Sequence, residues 1–108
     1  MIPRSPAPRP TVFFLSQTVP NPFSRHTTIQ YALSEQAHVE IRIFNISGQE
    51  VAQILEGKFE AGFRSVEWNA MSSNGREVAS GIYFVRMRAV GLDSGKPFVS
   101  TKRIALLR

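Results

Sequence analysis

The chain has 108 residues, with 13 lysines and arginines, 8 acidic residues and no cysteine. That is material for one domain, able to bury roughly 65% of its unfolded surface. The missing cysteines exclude disulfides, thiolate nucleophiles and cysteine-based metal sites, and a chain whose only histidines are His26 and His38 cannot build a multi-histidine centre.

The net charge of +5 is unevenly placed. Residues 1–25 hold Arg4, Arg9 and Arg25 and no acid. Residues 26–80 hold four basic residues against seven glutamates, and residues 81–108 hold six basic residues against Asp93. The charge belongs to the two ends, and the middle is mildly acidic. No apolar run approaches the roughly 20 residues of a membrane-spanning helix.

Four prolines fall in the first ten residues. They favour an extended, exposed conformation, so residues 1–11 read as a Pro/Arg-rich linker or arm and residues 12–108 as the domain. The start is not a signal peptide, which needs a continuous apolar stretch of about 7–15 residues.

From residue 11 onward the pattern is that of strands. Thr11–Leu15 is short and rich in β-branched and aromatic residues. Thr27–Leu33 places Ile29, Tyr31 and Leu33 on one face at period two. Val39–Ile43 alternates with Val39, Ile41 and Ile43 inward. Phe44 and Ile46 break that phase, which predicts a twist or bulge. Ser47-Gly48-Gln49 is a turn. Val51–Leu55 is apolar without alternation and reads either as a strand or as one helical turn. Glu56–Gly62 reads as a polar connection. Arg64–Trp68 alternates with Val66 and Trp68 inward, and Asn74-Gly75 marks a turn. Gly81–Val90 is the longest run, with Tyr83, Val85, Met87 and Ala89 on one face. Residues 91–97 form a hairpin loop, and Phe98–Leu107 returns antiparallel. About seven strands without a usable helix predict an all-β fold, an immunoglobulin-like or fibronectin-like antiparallel sandwich with Trp68 in its core.

The inventory argues against an enzyme. The lone Asp93 lies in a hairpin loop, and both histidines sit in polar, loop-like contexts, so no Ser/His/Asp triad assembles. Glu40, Glu67 and Glu77 fall on outward strand positions or beside a turn, where a solvated face is the ordinary reading. Asn69, Ser72, Ser73, Asn74 and Glu77 form a polar loop with one carboxylate, read first as a plain turn and second as a weak calcium site. No cofactor is expected. Phe84, near Arg86 and Arg88, is the single aromatic hint of base stacking, and no nucleic-acid partner is expected.

Seven landmarks stand in register. They are Pro20-Asn21-Pro22-Phe23, Ile43-Phe44-Asn45, Gly48-Gln49-Glu50-Val51, Trp68-Asn69, Asn74-Gly75, the run Val78 to Tyr83, and the closing Lys102-Arg103-Ile104-Ala105-Leu106-Leu107-Arg108. This order resembles the type A C-terminal sorting domain of the type IX (Por) secretion system. It also resembles the immunoglobulin-like domain of the flagellar hook-capping protein, a sister family. Asn69-Ala70 departs from the pattern, which has Asp-Gly after the tryptophan.

Pro20 and Pro22 are expected to hold a rigid extended corner, Gly48 and Gly75 to supply positive φ, and Gly81 to avoid a Cβ clash at a strand entrance. The resemblance implies a non-enzymatic domain that directs an attached N-terminal cargo through an outer-membrane translocon to the cell surface, with a sortase cutting the linker. The cut would fall around Pro8, Arg9, Pro10 and Thr11. Recognition would rest on Gly81, Tyr83, Lys102, Arg103, Ile104, Leu106, Leu107 and Arg108. The second reading is a structural subunit that assembles into homo-oligomers or filaments through its arm or an edge strand.

Overall fold

The structure is a computed structural model and describes residues 10–108. Pro8 and Arg9 of the expected cleavage region lie outside the described residues, while Pro10 and Thr11 precede the first strand without regular structure. The chain order is β1 (Phe14–Leu15), β2 (Thr27–Leu33), β3 (Ala37–Asn45), β4 (Glu50–Phe59), β5 (Gly62–Trp68), β6 (Gly81–Gly91) and β7 (Pro97–Leu106). Strands β1, β2 and β5 form one antiparallel sheet, and β4, β3, β6 and β7, in that order, form the other. Among the described residues no helix is long and apolar enough to cross a membrane.

Alternation in sequence becomes alternation in burial. Ile29, Tyr31 and Leu33 of β2, Val39, Ile41 and Ile43 of β3, and Tyr83, Val85, Met87 and Ala89 of β6 are all buried, as period two requires. They face each other across the two sheets and enclose Trp68, which is 1% exposed. The last strand adds Ile104 and Leu106 to the same core.

Strand β4 settles two sequence readings. Val51–Leu55 is strand, not a helical turn, and Glu56–Phe59 continues it, so the connection to β5 shrinks to Glu60 and Ala61. Its register shows why alternation was hidden. Ile41 faces Leu55 while Arg42 faces Gln53, and Ile43 faces Ala52 while Phe44 faces Glu50. Ile54 and Val51 are therefore extra residues, and each inverts the in–out phase of the strand beyond it. The irregularity expected near Phe44 is present, but the additional residues belong to β4 rather than β3.

Other expectations change as well. His38, read as a loop residue, lies in β3, although its side chain is exposed. The peptide bonds before Pro20 and Pro22 are both cis, and the segment is a run of bends rather than an extended corner. A Cβ at Gly81 would meet no atom within 4 Å, so clearance is not what this position requires. Gly48 and Gly75 do adopt positive φ, 85° and 82°.

At Gly91 the Glu35 carboxylate lies close over the backbone, so an added Cβ would push that side chain aside. That carboxylate accepts the backbone N–H groups of Ser94 at 2.8 Å and Asp93 at 3.0 Å, fastening the β6–β7 hairpin to the β2–β3 turn. Hydrogen bonds from Ser94, and further from Asp93, together with the charge of Lys96, hold its pKa below the ordinary carboxylate value.

Replacing the fully buried Ile41 by alanine lowers unfolding free energy by about 2–5 kcal/mol in urea titration, whereas the same change at Ile46, 75% exposed, stays within about 0.5 kcal/mol. Because the Glu35 carboxyl is depressed in the folded state, its stabilisation is present above the ordinary carboxylate range. It is lost as pH falls through the folded value. The Glu35→Gln chain therefore shows a shallower acid-side loss of stability than the unsubstituted chain, read from thermal melts across about pH 2–6.

Candidate recognition site at the clasped strand edge

The motif residues of the sequence converge on one end of the sandwich. The segment Pro20–Phe23 lies along the outer edge of β7, with Phe23 and Leu106 forming a parallel bridge. Phe23 N–H donates to the Ala105 carbonyl at 2.9 Å, and Leu107 N–H donates to the Phe23 carbonyl at 2.8 Å. The Asn21 side chain extends the pairing: its amide NH₂ donates to the Arg103 carbonyl at 3.0 Å, and its Oδ1 accepts the Ala105 N–H at 3.0 Å. One primary amide thus acts as one more peptide unit of a strand, which asparagine can do because it carries both donor and acceptor. The Thr27 hydroxyl donates to the Pro20 carbonyl at 2.8 Å and ties the clasp to β2.

Beneath the clasp lies an aromatic stack. Phe23 and Trp68 have ring centroids 5.6 Å apart, and Trp68 and Tyr83 are 5.3 Å apart in edge-to-face geometry. Trp68 Nε1 donates to the Met71 carbonyl at 2.9 Å, and the Tyr83 hydroxyl donates to the Ala79 carbonyl at 2.6 Å. Burial raises the Tyr83 phenol above its usual value, partly opposed by Arg108. Arg108 closes the end: its guanidinium donates to the carbonyls of Val78 and Ala70 at 3.0 and 3.1 Å, and Glu77 lies 3.7 Å away.

The eight expected recognition residues therefore divide. Tyr83, Ile104 and Leu106 are buried, and Arg108 is engaged with residues 70–80. Gly81, Arg103 and Leu107 are exposed, with Lys102 half-buried beside them. Of the eight structural motif residues, Pro20, Asn21, Pro22, Phe23 and Trp68 meet at the clasp, while Gly48, Asn74 and Gly75 serve separate turns.

The loop after Trp68 uses its oxygens internally. The Ser72 hydroxyl bonds Asn74, Asn69 Oδ1 accepts Met71 N–H, and Ser73 Oγ accepts Gln53 N–H. Two features escaped the sequence. His38, Glu40 and Glu56 place ligand-type atoms within 4.8 Å of one another on the outer face of β3 and β4. There the Arg42 guanidinium already supplies countercharge, at 3.6 Å from Glu40 and 3.8 Å from Glu56. Phe14, Ala32 and Phe63 stand in register on the outer face of the three-stranded sheet and border an open groove of about 440 Å³. Both depend on which residues of different strands become neighbours, a fact absent from any single segment.

Two antiparallel sheets packed around a central tryptophan define an immunoglobulin-like β-sandwich. The chain belongs to the FlgD Ig-like domain family, which matches residues 21–93. Among solved structures it is similar to PorU from Porphyromonas gingivalis, described as dimeric and latent, with a TM-score of 0.72, 19% identity and coverage of 98% of this chain and 10% of that one. That likeness speaks for the fold alone. It is also similar to PorZ of the same organism, described as an essential bacterial surface component of the type-IX secretion system. There the TM-score is 0.52 with 26% identity, covering 87% of this chain and 11% of that one. The chain thus spans about a tenth of the length of either structure. No curated protein matches it in sequence. The relation expected from the motif register is met on both sides, by the sister family in sequence and by a type IX component in structure.

Asn21→Ala removes two hydrogen bonds that hold the β7 edge and costs about 1–2 kcal/mol of stability. Amide exchange at Ala105 accelerates more than exchange at Val85, deep in the sheet.

Proposed function

We propose that this domain is a non-enzymatic sorting module that directs an attached cargo along the type IX pathway toward the cell surface. The coarser part of this reading, a role tied to type IX export, draws on the likeness to PorZ. The observation that supports the finer part is the convergence of the Pro20–Phe23, Val78–Tyr83 and Lys102–Arg108 motifs on a single end of the sandwich. That end combines a rigid frame with a basic, partly apolar rim of Lys102, Arg103 and Leu107. A translocon can read such a rim only if its geometry is fixed, and the clasp and the aromatic stack fix it. The sortase, the cargo and the cut near residues 8–11 come from the family resemblance.

The reading is tested by fusing residues 1–108 behind a periplasmic reporter in a type IX-competent bacterium. The fusion carries the reporter to the surface or the medium. Replacing Lys102 and Arg103 together by alanine lowers export severalfold while the circular dichroism spectrum is unchanged. Retention of the intact fusion inside the cell overturns the proposal.

A further inference from the structure

Strand β7 is an edge strand, and the clasp covers only part of its edge. The residues that meet the clasp are odd-numbered: the Arg103 carbonyl and both backbone groups of Ala105, then the Leu107 N–H. Pairing between β6 and β7 runs without a register shift from Leu106 back to Pro97. The same alternation turns the N–H and C=O of Val99 and Thr101 outward, along with the N–H of Arg103. Among the described residues these groups have no hydrogen-bond partner. A row of outward backbone groups is a template for a further strand. The molecule itself shows the mode, since Asn21–Phe23 occupies the other half of the same edge in this way.

The charge on the two strands that border this free run, β6 and β7, is of one sign. Strand β7 carries Lys102 and Arg103 and no acid, and Lys96 precedes it. Arg86 and Arg88 of β6 stand opposite Thr101 and Val99, on the same outer face as Arg103. None of these five basic residues forms a salt bridge among the described residues. Val99, 57% exposed, supplies an apolar contact between them.

We propose that the Pro97–Arg103 run of β7 binds an extended acidic segment of a partner protein as an added strand of the four-stranded sheet. Charge excludes two nearer occupants. The chain's own N-terminal arm is purely basic, with Arg4 and Arg9. Two β7 edges from separate copies would bring two basic strands without an acid side by side, and like charges gathered across a strand pair are unfavourable. The proposal does not depend on the export reading, because a domain that fails to export its cargo still offers this edge.

The test uses the 108-residue chain and two fluorescent peptides of about ten residues, one alternating valine with glutamate and one alternating valine with lysine. In anisotropy titrations the glutamate peptide binds about tenfold or more tightly than the lysine peptide, and added salt weakens it. In amide hydrogen exchange, Val99, Thr101 and Arg103 exchange quickly in the free chain and become protected when the glutamate peptide saturates it. Ser100 and Lys102, already bonded to β6, change little. Thr101→Pro removes an outward N–H without breaking the β6 ladder and weakens binding about tenfold. If that variant does not fold, the exchange measurement on the unsubstituted chain decides alone. Equal binding of both peptides, binding of neither, or binding without new protection at the three outward amides overturns the proposal.

Discussion

Three stacked rings hold the two sheets and the entry segment in one arrangement. Phe23 belongs to the segment that crosses to β7, Trp68 to the three-stranded sheet and Tyr83 to the four-stranded sheet. Aromatic side chains of this size bury roughly 150–250 Å² each, so the stack contributes a large apolar area to this end of the core. It also fixes polar geometry. The indole N–H and the phenol O–H each take a carbonyl of the 69–80 connection, at Met71 and Ala79, so that connection is suspended from the rings. Arg108 then reaches its carbonyls at Ala70 and Val78. In a chain without cysteine, this end of the sandwich is held by packing and by side-chain hydrogen bonds to backbone carbonyls.

The fold was legible wherever one face of a strand is buried and the other wet. β2, β3, β5 and β6 meet that condition, and their inward residues could be read off at period two. β4 does not. Its two extra residues, Val51 and Ile54, invert the phase twice, so its hydrophobic pattern matches neither strand nor helix. The clasp was legible only as a motif. Nothing in the order Pro-Asn-Pro-Phe tells that an asparagine side chain will pair with residues 103 and 105, because the partner lies more than eighty positions away. Ala70 is a middle case. It sits at φ 62°, a left-handed conformation that costs a non-glycine residue about 1–2 kcal/mol. A glycine, which the resembled pattern has there, would adopt this angle without that cost, and only the backbone angle reveals it.

The charge map gained meaning from strand neighbours in the same way. The glutamates of the middle segment do not form a free acidic surface. Glu40, Glu50 and Glu56 gather around Arg42, whose shortest contact is 2.7 Å to Glu50. Arg86, Arg88 and Arg103 of the final hairpin, by contrast, share a face with Phe84, and Arg86 lies 4.5 Å from the Phe44 ring centroid. The net charge of +5 is therefore no single patch: it comes from the two chain ends, and the outer face of the four-stranded sheet sets Arg86, Arg88 and Arg103 beside the glutamates gathered at Arg42.

The two edges of the four-stranded sheet meet the same hazard by different means. An unpaired strand edge invites further strands, and proteins counter this with distortion, charge or cover. At β4 the counter is distortion: two extra residues disturb the ladder, and Lys58 adds a charge. β7 has no such irregularity along its pairing with β6. Its protection is cover, and the hydrogen-bonded cover is local, reaching back from Leu107 only to the Arg103 carbonyl, where the Asn21 side chain ends the pairing. Beyond that point the strand is regular, outward-facing and basic. Regularity and uniform charge are what a strand needs in order to accept one kind of partner and refuse its own copy.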